Sequence, residues 1–131
     1  MKKNKKRILK LIDANVILRL LLNDIAELNQ VTRDIIKNNE VLILNEVVAE
    51  IIYVLEKLYK VERKEISNTL IKLFAHPNIF VQDLAVITGA LKIYADKGVD
   101  FVDAVLVAQS KCNGYTVYTF DKKLEKLLQL E

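Results

Sequence analysis

Four short runs rich in apolar and β-branched residues, at 8–12, 41–44, 79–81 and 115–120, recur along this chain with longer stretches of helical period between them. Runs of that length bounded by polar residues suit strands buried in a sheet, whereas the intervening stretches carry apolar residues at three- and four-residue spacing. Strands that alternate with helices argue for an α/β domain whose parallel sheet is covered by helices on both faces. That alternation excludes an all-helical bundle and an all-β sandwich.

The punctuation between runs supports the same order. Residues 16–22 read as a short apolar helix that runs out at Asn23-Asp24, and Leu28, Val31, Ile35 and Ile36 mark an amphipathic helix ended by Asn38-Asn39. Asn45 reads as a cap for an apolar helix over 47–55. Ile66, Leu70, Leu73 and Phe74 stripe the next one, which stops at His76-Pro77 because proline cannot continue a helix. Asp83 caps a helix closed by Gly98, residues 100–111 form a strongly apolar helix ended by Asn113-Gly114, and Asp121 opens the last helix.

The 131 residues fit one domain, 1–131, preceded by a basic tail at 1–6. Lys2, Lys3, Lys5, Lys6, Arg7 and Lys10 account for the formal charge of +3, because the rest of the chain sets the remaining 14 of 20 basic residues against 17 acids. The body is thus not the basic surface of a protein that binds nucleic acid by charge alone. A single cysteine, Cys112, and a single histidine, His76, exclude an intramolecular disulfide and a zinc site of the usual kind. No run of about 18 uncharged apolar residues occurs, so no membrane span and a cytoplasmic location are expected.

Most acids, including Asp34, Glu40, Glu56, Glu62, Glu65 and Glu125, have polar neighbours and belong on solvated faces. Four do not. Asp13 interrupts an apolar run, Glu50 is the only charge between Val47 and Leu55, Asp103 is the only one between Phe101 and Ser110, and Asp121 directly follows the fourth strand candidate. Asp13 alone reads as a helix cap. Together, four carboxylates in apolar settings and without local counter-charges risk costly burial. Strand ends share one edge of a parallel sheet, so Asp13 and Asp121 face one crevice if their strands are neighbours, with Glu50 and Asp103 leaning into it. A hard divalent cation relieves such crowding, and oxygen-only ligands favour Mg²⁺ or Mn²⁺ over zinc. Asp100 is weighed as a cap, and Glu46 as an acid placed for the helix dipole.

The segments LIDANVILRLLL, NEVVAEIIYVL, DFVDAVLVAQ and YTVYTFDKKL, in that order, make the chain resemble PIN domains, most closely the VapC-type toxin ribonucleases of toxin–antitoxin pairs. The resemblance implies a three-layer α/β/α sandwich with a central, mostly parallel sheet of four or five strands. It also implies an endoribonuclease dependent on Mg²⁺ or Mn²⁺ that hydrolyses RNA to a 5′-phosphate and a 3′-hydroxyl. Asp13, Glu50, Asp103 and Asp121 would be its catalytic and metal-binding acids, with Asp100, Asn15 and Thr119 as accessory polar groups. Many relatives continue into another strand beyond the position of Glu131. Arg19, Lys111, Lys122 and Lys123 are candidates for holding the RNA backbone. Expected partners are the RNA substrate, a cognate antitoxin and a second copy of the chain.

Two other classes compete. A non-catalytic PIN-like module would bind RNA or protein by docking, for example by receiving an antitoxin helix on the hairpin of helices around 47–60 and 62–74. A phosphoacceptor domain would also place Asp beside Mg²⁺, but Asn15 breaks its usual acidic pair, and Glu50 and Asp103 would go unexplained.

Overall fold

The structure, a computed structural model, describes residues 8–130; the basic tail at 1–6 and Glu131 lie outside the described residues. Strands β1 (Lys10–Leu11), β2 (Val41–Ile43) and β3 (Ile79–Val81) form a parallel sheet in the order β1-β2-β3. Lys10 pairs with Val41 and Leu11 with Leu42, while Leu42 pairs with Phe80 on the other side. Helices α1 (Ala14–Leu22) and α2 (Ala26–Asn38) join β1 to β2, and α3 (Asn45–Tyr53) and α4 (Arg63–Phe74) join β2 to β3. Then follow α5 (Leu84–Lys97), α6 (Phe101–Asn113) and α7 (Lys122–Gln129). No helix among the described residues is long and apolar enough to cross a membrane.

The helical periods are realised in the packing. β2 buries Val41 and Ile43, α3 buries Val48, Ile51 and Ile52, and α4 buries Ile66, Leu70 and Phe74. α5 supplies Val86, Ile87, Ala90, Leu91 and Tyr94, and α6 answers with Ala104, Val107 and Ala108. Small residues on both helices let α5 and α6 lie close, so that a methyl added at Gly89 would touch the Ala108 Cβ at 3.7 Å. All of these apolar groups except Val107 belong to one continuous core, and truncating one fully buried member such as Ile51 to Ala is worth about 2–5 kcal/mol.

Four expectations are corrected. The first strand covers two residues rather than five, and the reading of 8–12 as buried fails for Ile8 and Leu11, which are exposed. The sheet has three strands among the described residues, not four or five, so the expected sandwich lacks that breadth. The segment 115–120 is not a strand: it makes no ladder, and Tyr118 and Phe120 stand in solvent at 93% and 101% exposure. Strand propensity reflects fit to a paired, half-covered surface, and this segment has neither. Finally, the helix over 47–55 starts earlier than expected: Asn45 is its first residue, and Leu44 occupies the cap position without a side-chain bond. It continues into a π-helical turn, Val54–Leu58.

Candidate acidic site

Asp13 and Asp121 stand at helix starts and act as caps. The Ala14 N–H donates to Asp13 Oδ1 at 2.7 Å, immediately after β1. The Leu124 N–H donates to Asp121 Oδ1 at 2.9 Å, which satisfies one of the free amides of α7. The Asp121 N–H in turn donates to Thr119 Oγ at 3.0 Å, so Thr119 fixes the turn that presents this acid. Asp100 sits at the cap position of α6, but contrary to its reading as a cap it accepts no such bond. Asp103 lies in the first turn of α6, Glu50 lies within α3, and Asn15 lies in the first turn of α1.

Burial separates these acids. Asp13, Glu50, Asp100 and Asp121 are exposed, as is Asn15, and only Asp103 is half-buried. The expectation that apolar neighbours would bury all four candidate acids therefore fails. Glu50 shares the exposed face of α3 with Glu46 four residues before it and Tyr53 three after, while Val48, Ile51 and Ile52 carry the core from the other side; Asp13 stands at the cap position, ahead of the buried Ala14, Ile17 and Leu18. Glu46 is exposed in the first turn of α3, the placement expected for an acid favoured by the helix dipole.

Electrostatics picks out one end of the molecule. Burial raises the Asp103 carboxyl above its usual range, and the charges of Asp100 and then Asp121 raise it further. Asp103 thus feels both neighbouring carboxylates, Asp100 at the start of its own helix and Asp121 at the start of α7. Neither Asp13 nor Glu50 enters that set.

The donor chemistry suits a hard divalent cation, since all three groups are carboxylates and Asp103 is disfavoured as an isolated anion. Among the described residues, no three acids, histidines or cysteines approach closely enough to hold an ion together. A magnesium ion commonly takes one or two carboxylates and keeps waters or substrate phosphate for the rest. Asp103 with Asp121 or Asp100 fits that sparser mode.

The basic candidates have partners within the chain. Arg19 Nη1 lies 2.9 Å from both Asp24 carboxylate oxygens, Lys123 Nζ donates to the Gly98 carbonyl at 3.0 Å, and Lys111 donates to the Leu130 carbonyl. Lys122 reaches Glu125 at 3.7 Å and is otherwise well exposed. Of the four, Lys122 is held by the longest of these contacts.

Sequence reasoning missed Glu56, Arg63 and Tyr94. Tyr94 Oη donates to Glu56 Oε1 at 2.5 Å, and Arg63 Nε donates to Oε2 at 3.2 Å. Its polar neighbours in sequence place Glu56 on a solvated face. It instead lies half-buried where the π turn, α4 and α5 meet. Burial alone would raise its carboxyl, yet bonds from Tyr94 and Arg63, with the charges of Arg63 and Lys57, hold it below its usual range. Nothing in the local sequence marks Tyr94, because its partners lie 31 and 38 residues away.

No curated protein and no solved structure matches the chain. The family model for the PIN domain matches residues 10–128, nearly the whole described chain. PIN domains are commonly nucleases and generally use divalent metal ions. The chain belongs to the PIN domain family.

Proposed function

We propose that the chain is an endoribonuclease dependent on Mg²⁺ or Mn²⁺ and the VapC-type toxin of a toxin–antitoxin pair, acting in the cytoplasm. The observation that carries the reading is the placement of Asp100 and Asp121 at the cap positions of the adjoining helices α6 and α7, with Asp103 half-buried in the first turn of α6, in a PIN domain. A divalent ion bound there supplies positive charge to the scissile phosphate and lowers the pKa of the attacking water. Asp103 offers a partly desolvated carboxylate and Asp121 a solvent-facing one, held in place by Thr119 and by its own capping bond. The family resemblance, rather than proximity, adds Asp13 at the start of α1 and Glu50 within α3 to the proposed acidic set. The exposed ammonium of Lys122 lies next to Asp121 and holds the RNA backbone. A cognate antitoxin and a second copy of the chain are the proposed protein partners.

Purified protein freed of any partner should cut single-stranded RNA, stop on chelation with EDTA, and resume on addition of Mg²⁺ or Mn²⁺. Asp103→Asn should remove cleavage by about a hundredfold or more while the protein stays folded. Cleavage that survives chelation, or that persists in the Asn variant, overturns the reading. That Asp13 and Asp121 both spend their side chains on helix caps favours a second reading, a non-catalytic binding module. RNA binding with no cleavage at any metal concentration would select it.

A further inference from the structure

Two cations from different helices converge on the turn that leads into α6. Arg63, at the start of α4, donates through Nη1 to the Val99 carbonyl at 2.6 Å and to the Tyr94 carbonyl at 3.2 Å. Its guanidinium lies 4.3 Å from the Tyr94 ring centroid, and Nη2 stands 3.7 Å from Asp100 Oδ1. From the other side, Lys123 in the first turn of α7 donates to the Gly98 carbonyl at 3.0 Å. Consecutive carbonyls at the end of α5 are thus each held by a different positive side chain, the arrangement a helix C-terminus favours.

This turn needs such support. Asp100 gives α6 no side-chain cap bond, and Gly98 takes a left-handed conformation with φ of 68°. Directly beyond it stand Asp100 at the cap position and Asp103 in the first turn of α6, and Asp121 occupies the cap position of the adjoining α7, so three acids lie at two neighbouring helix starts. Lys123 lies two residues after Asp121, so its bond to Gly98 sets the first turn of α7 against that of α6. Arg63 fixes the same turn to α4 and brings positive charge beside Asp100.

We infer that Arg63 and Lys123 are positioning residues for the acidic site, clamping the turn at 98–100 so that Asp100, Asp103 and Asp121 remain together. The inference rests on the nuclease reading and reassigns Lys123 from the RNA backbone to the scaffold. Neither residue is catalytic, since each acts through the turn. Arg63 is the harder to replace, because one guanidinium makes two carbonyl bonds, an ion pair and a stacked contact that an ammonium cannot reproduce together.

The test measures three quantities on the full chain: Mn²⁺ affinity by calorimetry, amide exchange over residues 101–104, and cleavage as a function of Mn²⁺. Arg63→Gln and Lys123→Gln should each weaken Mn²⁺ binding about tenfold, the scale typical of groups that orient metal ligands, and should speed exchange at the start of α6. Cleavage at saturating Mn²⁺ should fall much less than cleavage at low Mn²⁺. Lys123→Arg should restore most of the affinity and Arg63→Lys only part.

Asn78→Ala, which removes bonds to the Ile36 and Lys37 carbonyls on another part of the fold, provides the stability control. It should lower Tm without moving Mn²⁺ affinity or the local exchange. Unchanged Mn²⁺ affinity in both Gln variants, or an equal change in Asn78→Ala, overturns the inference. Should the unaltered protein bind no Mn²⁺ and cut no RNA, the nuclease reading falls, and the exchange measurement alone decides whether the clamp exists: unchanged exchange in both Gln variants overturns it.

Discussion

Tyr94 and Glu56 are joined by a 2.5 Å hydrogen bond from the phenol to a carboxylate oxygen, across 38 residues of sequence. Burial, and then the carboxylate it serves, push the Tyr94 hydroxyl far above its usual range, so it remains a donor throughout the working pH range. With Arg63 on the other oxygen, the pair fastens the π turn to α5 and α4. The geometry makes this polar cluster a joint of the fold.

That joint has a pH signature. The Glu56 carboxyl titrates lower in the folded protein than its ordinary value of 4.5, so the unfolded chain takes up its proton first as the pH falls. The stabilisation is therefore complete above about pH 4.5 and is lost as the pH drops through the lower folded value. Glu56→Gln should cost about 1–2 kcal/mol at pH 7, with a smaller difference from the unaltered protein in progressively more acidic buffer. Urea unfolding at several pH values checks it, and a difference that stays constant down to pH 3 contradicts the assignment.

Asp103 should behave in the opposite sense. Its carboxyl titrates higher in the folded protein than its ordinary value of 3.8, because burial and then Asp100 and Asp121 disfavour its charge. The folded state holds that proton more tightly, so stability from this group declines as the pH rises from 3.8 through the raised value. Asp103→Asn should accordingly leave Tm at pH 7 unchanged or higher, even as cleavage is lost. Thermal melts run beside the cleavage assay check both halves, and a large fall in Tm would mean that Asp103 serves the fold.

Gly98 is required on two counts. Its φ of 68° lies in the left-handed region, and an added Cβ would stand 3.3 Å from Lys123 Nζ. Gly98→Ala should destabilise the protein by about 1–2 kcal/mol from backbone strain alone. Gly114, also left-handed at φ of 74°, has open space where a Cβ would stand, so Gly114→Ala should bear the strain without disturbing a neighbour. Comparing the two by denaturant unfolding separates backbone strain from the loss of the Lys123 bond.

The helices were legible because their stripes and stops agree. Ile66, Leu70 and Phe74 are buried as spaced, His76-Pro77 ends α4, and Asp83, Asp121, Gly98 and Gly114 occupy the caps read for them. The strands were less so, because a strand exists only with a partner: 41–44 sits between two others and forms, whereas 115–120, with the stronger propensity, has none. Of the neighbouring pair Asp100 and Asp103, the sequence sets Asp103 deeper in apolar residues, and Asp103 is half-buried where Asp100 is exposed. Asp13, Glu50 and Asp121 stand exposed instead, because apolar neighbours in sequence do not tell which way a side chain faces. Arg63, Glu56 and Tyr94 come together through tertiary contacts between three elements, which no local pattern encodes.

Asp121 carries two loads that substitution can separate. Its side chain accepts the Leu124 N–H at 2.9 Å, a capping bond, and its charge contributes to the field at Asp103. Asparagine keeps a carbonyl oxygen at the same place, so Asp121→Asn should preserve the cap and leave Tm nearly unchanged. Alanine removes the cap as well and should cost about 1 kcal/mol. Cleavage should fall alike in both variants, because each loses the carboxylate, and the Asp103 carboxyl should relax towards its ordinary range in both. Melting curves, cleavage rates and a carboxyl titration by NMR on the two variants decide the matter. Equal Tm loss in both variants would assign the stabilising role to the charge rather than to the cap, and full cleavage in Asp121→Asn would remove Asp121 from the acidic set.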